Sequence, residues 1–156
     1  MPTAVVTVSD TRSLETDTGG AQVQALLEAA GHRVVERRIV PDEPAAIATA
    51  FRACIAHAEV RAVVFTGGTG VAPRDVTPDT IEPLLDRTIP GFGELYRVLS
   101  YQEIGSAALL SRALAGLRDG RVVFALPGSR GAVRLAMEKL ILPELGHLVA
   151  QAVKKR

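Results

Sequence analysis

The sequence predicts an α/β protein, a three-layer α/β/α fold around a mostly parallel central sheet, and three observations predict it. Short β-rich runs alternate along the chain with stretches whose apolar residues recur at helical spacing, the order that joins parallel strands through crossover helices. Most of the strand runs are apolar throughout, as strands covered on both faces are. Each run also ends in polar, acidic or glycine-rich residues, the chemistry expected where strands leave such a sheet and open a ligand crevice.

The elements follow in order. Ala4-Val5-Val6-Thr7-Val8 is a compact β-branched run closed by Ser9-Asp10, and it reads as a buried strand. Val23, Leu26, Leu27 and Ala30 recur at i, i+3, i+4 and i+7, one face of a helix that Gly31 stops. Arg33 to Val40 is a second strand, whose charged positions suit the sheet edge. Ile47, Ala50, Phe51, Cys54, Ile55 and Ala58 repeat the helical period, and Ala62 to Phe65 is a third strand that runs into Thr66-Gly67-Gly68-Thr69-Gly70. Pro78 to Gly116 is richer in short helical pieces and glycine-marked turns. Arg121 to Leu126 is a last strand, ending at Pro127-Gly128-Ser129. Helix signals follow at Val133, Ala136, Met137, Leu140 and Ile141, and resume after Pro143 at Leu145, Leu148, Val149, Ala152 and Val153. No repeat, low-complexity segment or linker divides the chain, so residues 1–156 read as one domain.

Composition bounds the function. At 156 residues a fold buries roughly 68–70% of its unfolded surface, so neither metal nor disulfide is needed as a staple. A formal net charge of +1 with scattered Lys and Arg gives no electrostatic reason to expect nucleic acid. The one basic run, Lys154-Lys155-Arg156, reads as a solvated tail. No signal peptide is visible and nowhere do about 18 apolar residues run uninterrupted, so no membrane is implicated. Cys54 has no partner for a disulfide and sits on an apolar helix face, which fits a cytoplasmic protein and a core residue. His32, His57 and His147 lack ligand-like spacing, and no GxSxG elbow occurs.

Thr66-Gly67-Gly68-Thr69-Gly70 is the strongest local motif. Its glycines permit positive φ and let successive N–H groups point at an anion, and the threonines add hydroxyls, a cradle suited to phosphate oxygens of a nucleotide or pterin. Neither the P-loop nor the GxGxxG spacing is present. A tight strand-to-loop turn without ligand is the bland alternative. In Pro73-Arg74-Asp75-Val76-Thr77-Pro78-Asp79, Thr77 as N-cap and Pro78 in a first turn have a structural explanation. Arg74 could fork onto phosphate and Asp75 could hold Mg²⁺, with a surface ion pair and helix cap as the alternative. Asp42-Glu43 before Pro44 reads by itself as a helix cap, and Ser9-Asp10 as a turn opening a long polar loop to Gly20. Pro127-Gly128-Ser129 offers bare backbone to a base or ribose, or simply starts a helix.

Thr66 to Asp79, TGGTGVAPRDVTPD, resembles the signature of the molybdenum cofactor biosynthesis MoaB/MogA family, shared with the G domain of gephyrin. AVVTVSDTR, RRIVPDEP, GFGELYRVLSYQEIG, SRALAG and FALPGSRGAV resemble further family segments, and Gly91 to Gly116 looks closer to the MoaB branch. The resemblance implies adenylylation of molybdopterin by ATP with Mg²⁺, releasing pyrophosphate, in a trimer or a hexamer of two trimers. It also implies that Asp42 and Asp75 are the family's two essential aspartates, which would hold Mg²⁺ or orient the attacking phosphate. Some MoaB-type relatives have lost these acids; this chain keeps both. A carrier that binds molybdopterin without chemistry is the competing expectation. The apolar residues from Phe92 to Leu114, Leu95, Val98, Leu99, Leu109 and Leu110 among them, suit either an interface or the core.

Overall fold

Three apolar strands stand side by side at the centre of the sheet, each covered on both faces. The computed structural model describes residues 1–154, so the basic tail expected at Lys155 and Arg156 lies outside the described residues. The strands β1 (Pro2–Val8), β2 (Arg33–Val40), β3 (Ala62–Thr66), β4 (Arg87–Thr88), β5 (Leu114–Arg118) and β6 (Arg121–Leu126) form one sheet in the order β2-β1-β3-β6-β5-β4. β2, β1, β3 and β6 are mutually parallel, while β5 runs antiparallel to both its neighbours. The charged second strand is indeed an edge, and β1, β3 and β6 carry the buried runs.

The helices are α1 (Thr18–Ala29), α2 (Pro44–Ala56), α3 (Thr77–Ile81), α4 (Pro90–Ile104), α5 (Arg130–Ala136) and α6 (Leu142–Ala152). Strand residues alternate between two cores, which is the period-two geometry of a pleated sheet. Val5, Val64, Val122 and Phe124 pack with Val23 and Leu27 of α1, Phe92 and Tyr96 of α4, Val133 of α5 and Leu145 of α6. Ala4, Val6, Val63 and Phe65 pack on the other face with Ile47, Phe51 and Cys54 of α2 and Ile81 of α3. The three layers are thus α1, α4, α5 and α6, then the sheet, then α2 and α3.

Two features differ from the sequence reading. The region expected to hold short helical pieces has them at Glu82–Leu84 and Gly105–Leu110, but it also contains the 15-residue α4, with β4 before it and β5 after it. The helical signal across Pro143 is unbroken: between α5 and α6 a wider turn at Met137–Ile141 carries the Leu142 N–H back to the Met137 carbonyl. Proline lacks an N–H and its ring crowds the carbonyl four residues earlier, and a widened turn accommodates both defects.

Candidate functional site

The carboxyl ends of β2, β1, β3 and β6 lie next to one another, and the register sets them level: Val40 opposite Val8, Thr7 opposite Thr66, Thr66 opposite Leu126. Ser9, Asp42, Gly67 and Pro127 are therefore neighbours along one rim. Two further hydrogen bonds lace it, from Ser9 N–H to the Val40 carbonyl at 2.8 Å and from Gly67 N–H to the Leu126 carbonyl at 2.9 Å.

The TGGTG loop is held by its carbonyls. Gly67 and Gly68 take φ of +103° and +66°, a backbone that other residues resist. The Gly67 carbonyl accepts from Thr77 Oγ1 at 2.9 Å and the Gly68 carbonyl from Thr77 N–H at 3.1 Å. The Thr69 carbonyl accepts from Arg112 N–H at 2.9 Å and the Gly70 carbonyl from Arg112 Nε at 2.8 Å. Across a trans peptide the C=O and the next N–H point in opposite directions. The amides of Gly68, Thr69, Gly70 and Val71 consequently face away from Thr77 and Arg112. Among the described residues none of these amides donates to a protein acceptor. Backbone polar groups are seldom left unpaired, and a run of free amides is an anion-binding concavity.

Two carboxylates flank this run. Asp42 Oδ1 stands 3.0 Å from where a Cβ on Gly68 would be, and Asp75 Oδ2 stands 2.7 Å from the same point on Gly70. Burial, and then the negative charges of Asp10 and Asp75 against the opposing Arg74, push the Asp42 carboxyl above its ordinary range. Capping is not its role, for Glu43 holds the N-cap of α2 and makes no side-chain cap bond. Asp75 closes a small turn by accepting from Ala72 N–H at 3.1 Å.

Asp10 ties two loops together. Its carboxylate accepts from the Asp42 N–H at 3.0 Å and takes a forked pair from Arg74, at 2.8 Å from Nε and 3.0 Å from Nη2. The Arg74 guanidinium, then the Asp42 amide, hold the Asp10 carboxyl below its usual range. In this state Arg74 is engaged with Asp10 rather than open to phosphate.

Other expected residues have plainer parts. Thr66 is buried and its hydroxyl donates to the Pro127 carbonyl at 3.4 Å, and Thr69 is buried too, so neither threonine offers an exposed hydroxyl. Thr77 is not an N-cap: it is the first residue of α3, and its hydroxyl turns inward onto Gly67. Ser129 does cap α5, accepting from Ala132 N–H at 3.3 Å. Ser9 Oγ opens the polar loop by accepting from Arg12 N–H at 3.1 Å. Gly128 leaves its backbone bare against the Cα of Gly67, at 3.3 Å from its own would-be Cβ.

The sequence reading missed Arg112, Thr77 as a loop anchor, and Asp17. Asp17 is 3% exposed, caps α1 through Gly20 N–H at 2.9 Å, and accepts from Thr7 Oγ1 at 2.6 Å and Arg37 Nη2 at 3.2 Å. The Asp-x-x-Gly spacing before a helix was the available signal for Asp17; nothing local marks Arg112.

No group of three or more His, Cys, Asp or Glu that could hold a metal occurs among the described residues. Mg²⁺ commonly takes one or two carboxylates and completes its shell with water and substrate phosphate. Asp42 and Asp75 beside the free amides fit that mode of binding, and do not form a protein-only cage.

The chain matches the family described as "Probable molybdopterin binding domain" over residues 4–147. It is 49% identical over 153 residues to a Halalkalibacterium halodurans protein named Molybdenum cofactor biosynthesis protein B, covering 97% of this chain and 90% of that one. A crystal structure of a Molybdenum cofactor biosynthesis protein B matches with TM-score 0.96 at 49% identity, over 99% of this chain and 97% of the other. The tungsten cofactor synthesizing protein MoaB from Pyrococcus furiosus matches with TM-score 0.88 at 36% identity, over 98% and 97%.

Proposed function

The chain belongs to the MoaB/MogA family of molybdopterin-binding domains in molybdenum cofactor biosynthesis, and from that premise we propose that it is a molybdopterin adenylyltransferase. The reaction joins molybdopterin to the adenylyl group of ATP and releases pyrophosphate. A terminal phosphate oxygen of molybdopterin attacks the α-phosphorus of ATP; the new P–O bond forms as the α–β anhydride bond breaks, and pyrophosphate leaves with the electron pair. The substrate is its own nucleophile, so the chain's task is to position two polyanions and offset their charge.

The need for that offset is large. At about 4 Å and an effective dielectric near 20, each pair of like unit charges costs roughly 4 kcal/mol. A net charge of +1 cannot supply it from bulk charge. The free amides of Gly68, Thr69, Gly70 and Val71 supply fixed dipoles at no cost of reorganisation. Asp42 and Asp75 would hold Mg²⁺, which would supply positive charge against the phosphates. Pro127 and Gly128, packed across the rim against Thr66 and Gly67, would border the adenylate. Arg74 joins the phosphates on release from Asp10.

The observation that carries this reading is the run of free amides with a carboxylate at each end. Its test is incubation of the protein with molybdopterin, ATP and Mg²⁺, followed by chromatography for adenylyl-molybdopterin and pyrophosphate. Both products are expected. Tight pterin binding with neither product would make the chain a carrier instead. No helix among the described residues is long and apolar enough to cross a membrane, and we place the reaction in the cytoplasm, in a trimer or hexamer of the chain.

A further inference from the structure

We propose that Arg112 is a positioning residue of the phosphate loop: it touches no substrate, and it holds the amides of Gly70 and Val71 turned outward while fixing Asp75 at the loop's end. The inference rests on the reading that this loop receives phosphate.

Almost every donor of Arg112 is spent inside the protein. Its N–H takes the Thr69 carbonyl at 2.9 Å, Nε the Gly70 carbonyl at 2.8 Å and Nη2 the Asp75 carbonyl at 2.6 Å. Nη1 lies 2.9 Å from each carboxylate oxygen of Asp79, which absorbs the positive charge. A guanidinium so committed has little left for an anion. Each carbonyl it draws inward turns the following amide outward, because the peptide unit is rigid. Arg112 thus sets half of the donor run and Thr77 the other half.

The mount is firm. Arg112 stands just ahead of β5, whose Leu114 pairs with Ala125 of β6, so the fork is carried by the same sheet that carries the loop. The side-chain bonds reach two different carbonyls and one carboxylate in fixed directions, a task for a planar fork and not for the point charge of lysine.

That difference gives the test. Arg112→Lys, Arg112→Ala and Asp79→Asn are compared with wild type for ATP affinity by titration calorimetry, for kcat and KM in adenylyl transfer, and for melting temperature. Arg112→Lys and Arg112→Ala should lose ATP affinity about tenfold and kcat about 10²-fold, the effect of roughly an ångström of misplacement, and should agree with each other within about threefold. Asp79→Asn, which keeps the guanidinium and slackens its brace, should lose kcat about tenfold at an unchanged melting temperature. Wild-type affinity and turnover in Arg112→Lys would overturn the proposal, because charge alone would then suffice. If Arg112→Ala melts early, Asp79→Asn decides: full kcat in that variant overturns the proposal. ATP binding is read without turnover, so a wild-type chain that binds ATP and makes no product sinks the adenylyltransferase reading and leaves the role of Arg112 still measured.

Discussion

At the scale of single residues the site holds a conflict between stability and function, and Asp42 shows it. Its carboxyl is raised by burial first and by Asp10 next, so folding disfavours its charged form. A carboxyl whose folded value lies above its unfolded one favours the fold while protonated, below the unfolded range near 3.9, and that contribution is lost as pH rises through the folded value. At neutral pH Asp42 is therefore a cost. Asp42→Asn should raise the melting temperature at pH 7, with the gain fading below about pH 4, and should lower adenylyl transfer at least 10²-fold. Thermal melts across pH beside the product assay check both halves; a lower melting temperature at pH 7 would contradict the assignment. Asp10 has the opposite sign: held low by Arg74, it supports the fold above the unfolded carboxylate range and withdraws that support as pH falls through its own lowered value.

At the scale of elements the question is what fixes the helices against the rim. α1 begins at a buried carboxylate: Asp17 meets β1 through Thr7, β2 through Arg37 and its own helix through Gly20. Replacing it by alanine removes a cap worth about 1 kcal/mol and strands a buried hydroxyl and a half-paired guanidinium at about 1–3 kcal/mol more. Asp17→Ala should cost about 3 kcal/mol and lower the melting temperature by about 6–12 °C, measured by thermal unfolding. This anchor was hard to read because its partners are 10 and 20 residues away, whereas β1, β3 and β6 announce themselves in unbroken apolar runs. β4 is two exposed residues and β5, Leu-Ala-Gly-Leu-Arg, carries little β-propensity; β5 forms on the open edge of β6, and β4 on that of β5. α4 was obscured by Pro90, Gly91 and Gly93, which signal turns, and Gly93 is there because the Ala113 carbonyl passes 2.7 Å from its would-be Cβ. The site divides the same way. Glycines and acids at strand ends were legible from composition and topology, while Arg112 was not, because its role lies in contacts with carbonyls that every residue possesses.

At the scale of the whole molecule α4 is apolar on two sides. Phe92, Tyr96 and the partly buried Leu99 face the core, yet Leu95, Val98, Tyr101 and Ile104 recur at i+3 on the outside, 56–63% exposed. Leu109 and Leu110 in the turn that follows extend the stripe, and a concavity of about 470 Å³ opens between Val98, Tyr101, Ala108 and Leu109. Of the five residues named as suiting either an interface or the core, only Leu99 packs on the core. A continuous exposed apolar patch of this kind marks a contact surface. The occupant proposed here is a second copy, in a closed ring that gives every copy the same contact. The stripe also runs directly into Ser111-Arg112, so copies packed on Leu109 and Leu110 would stiffen the mount of the phosphate loop. Sedimentation at micromolar concentration should find an assembly of three copies or a multiple of three, and Leu109→Asp combined with Tyr101→Glu should yield monomer with the fold intact. That monomer should retain pterin binding and lose kcat about tenfold, because the loop's outer brace softens while its carbonyl bonds remain. A wild-type chain that sediments as a monomer, or a monomeric variant with undiminished turnover, would separate assembly from the chemistry of the rim.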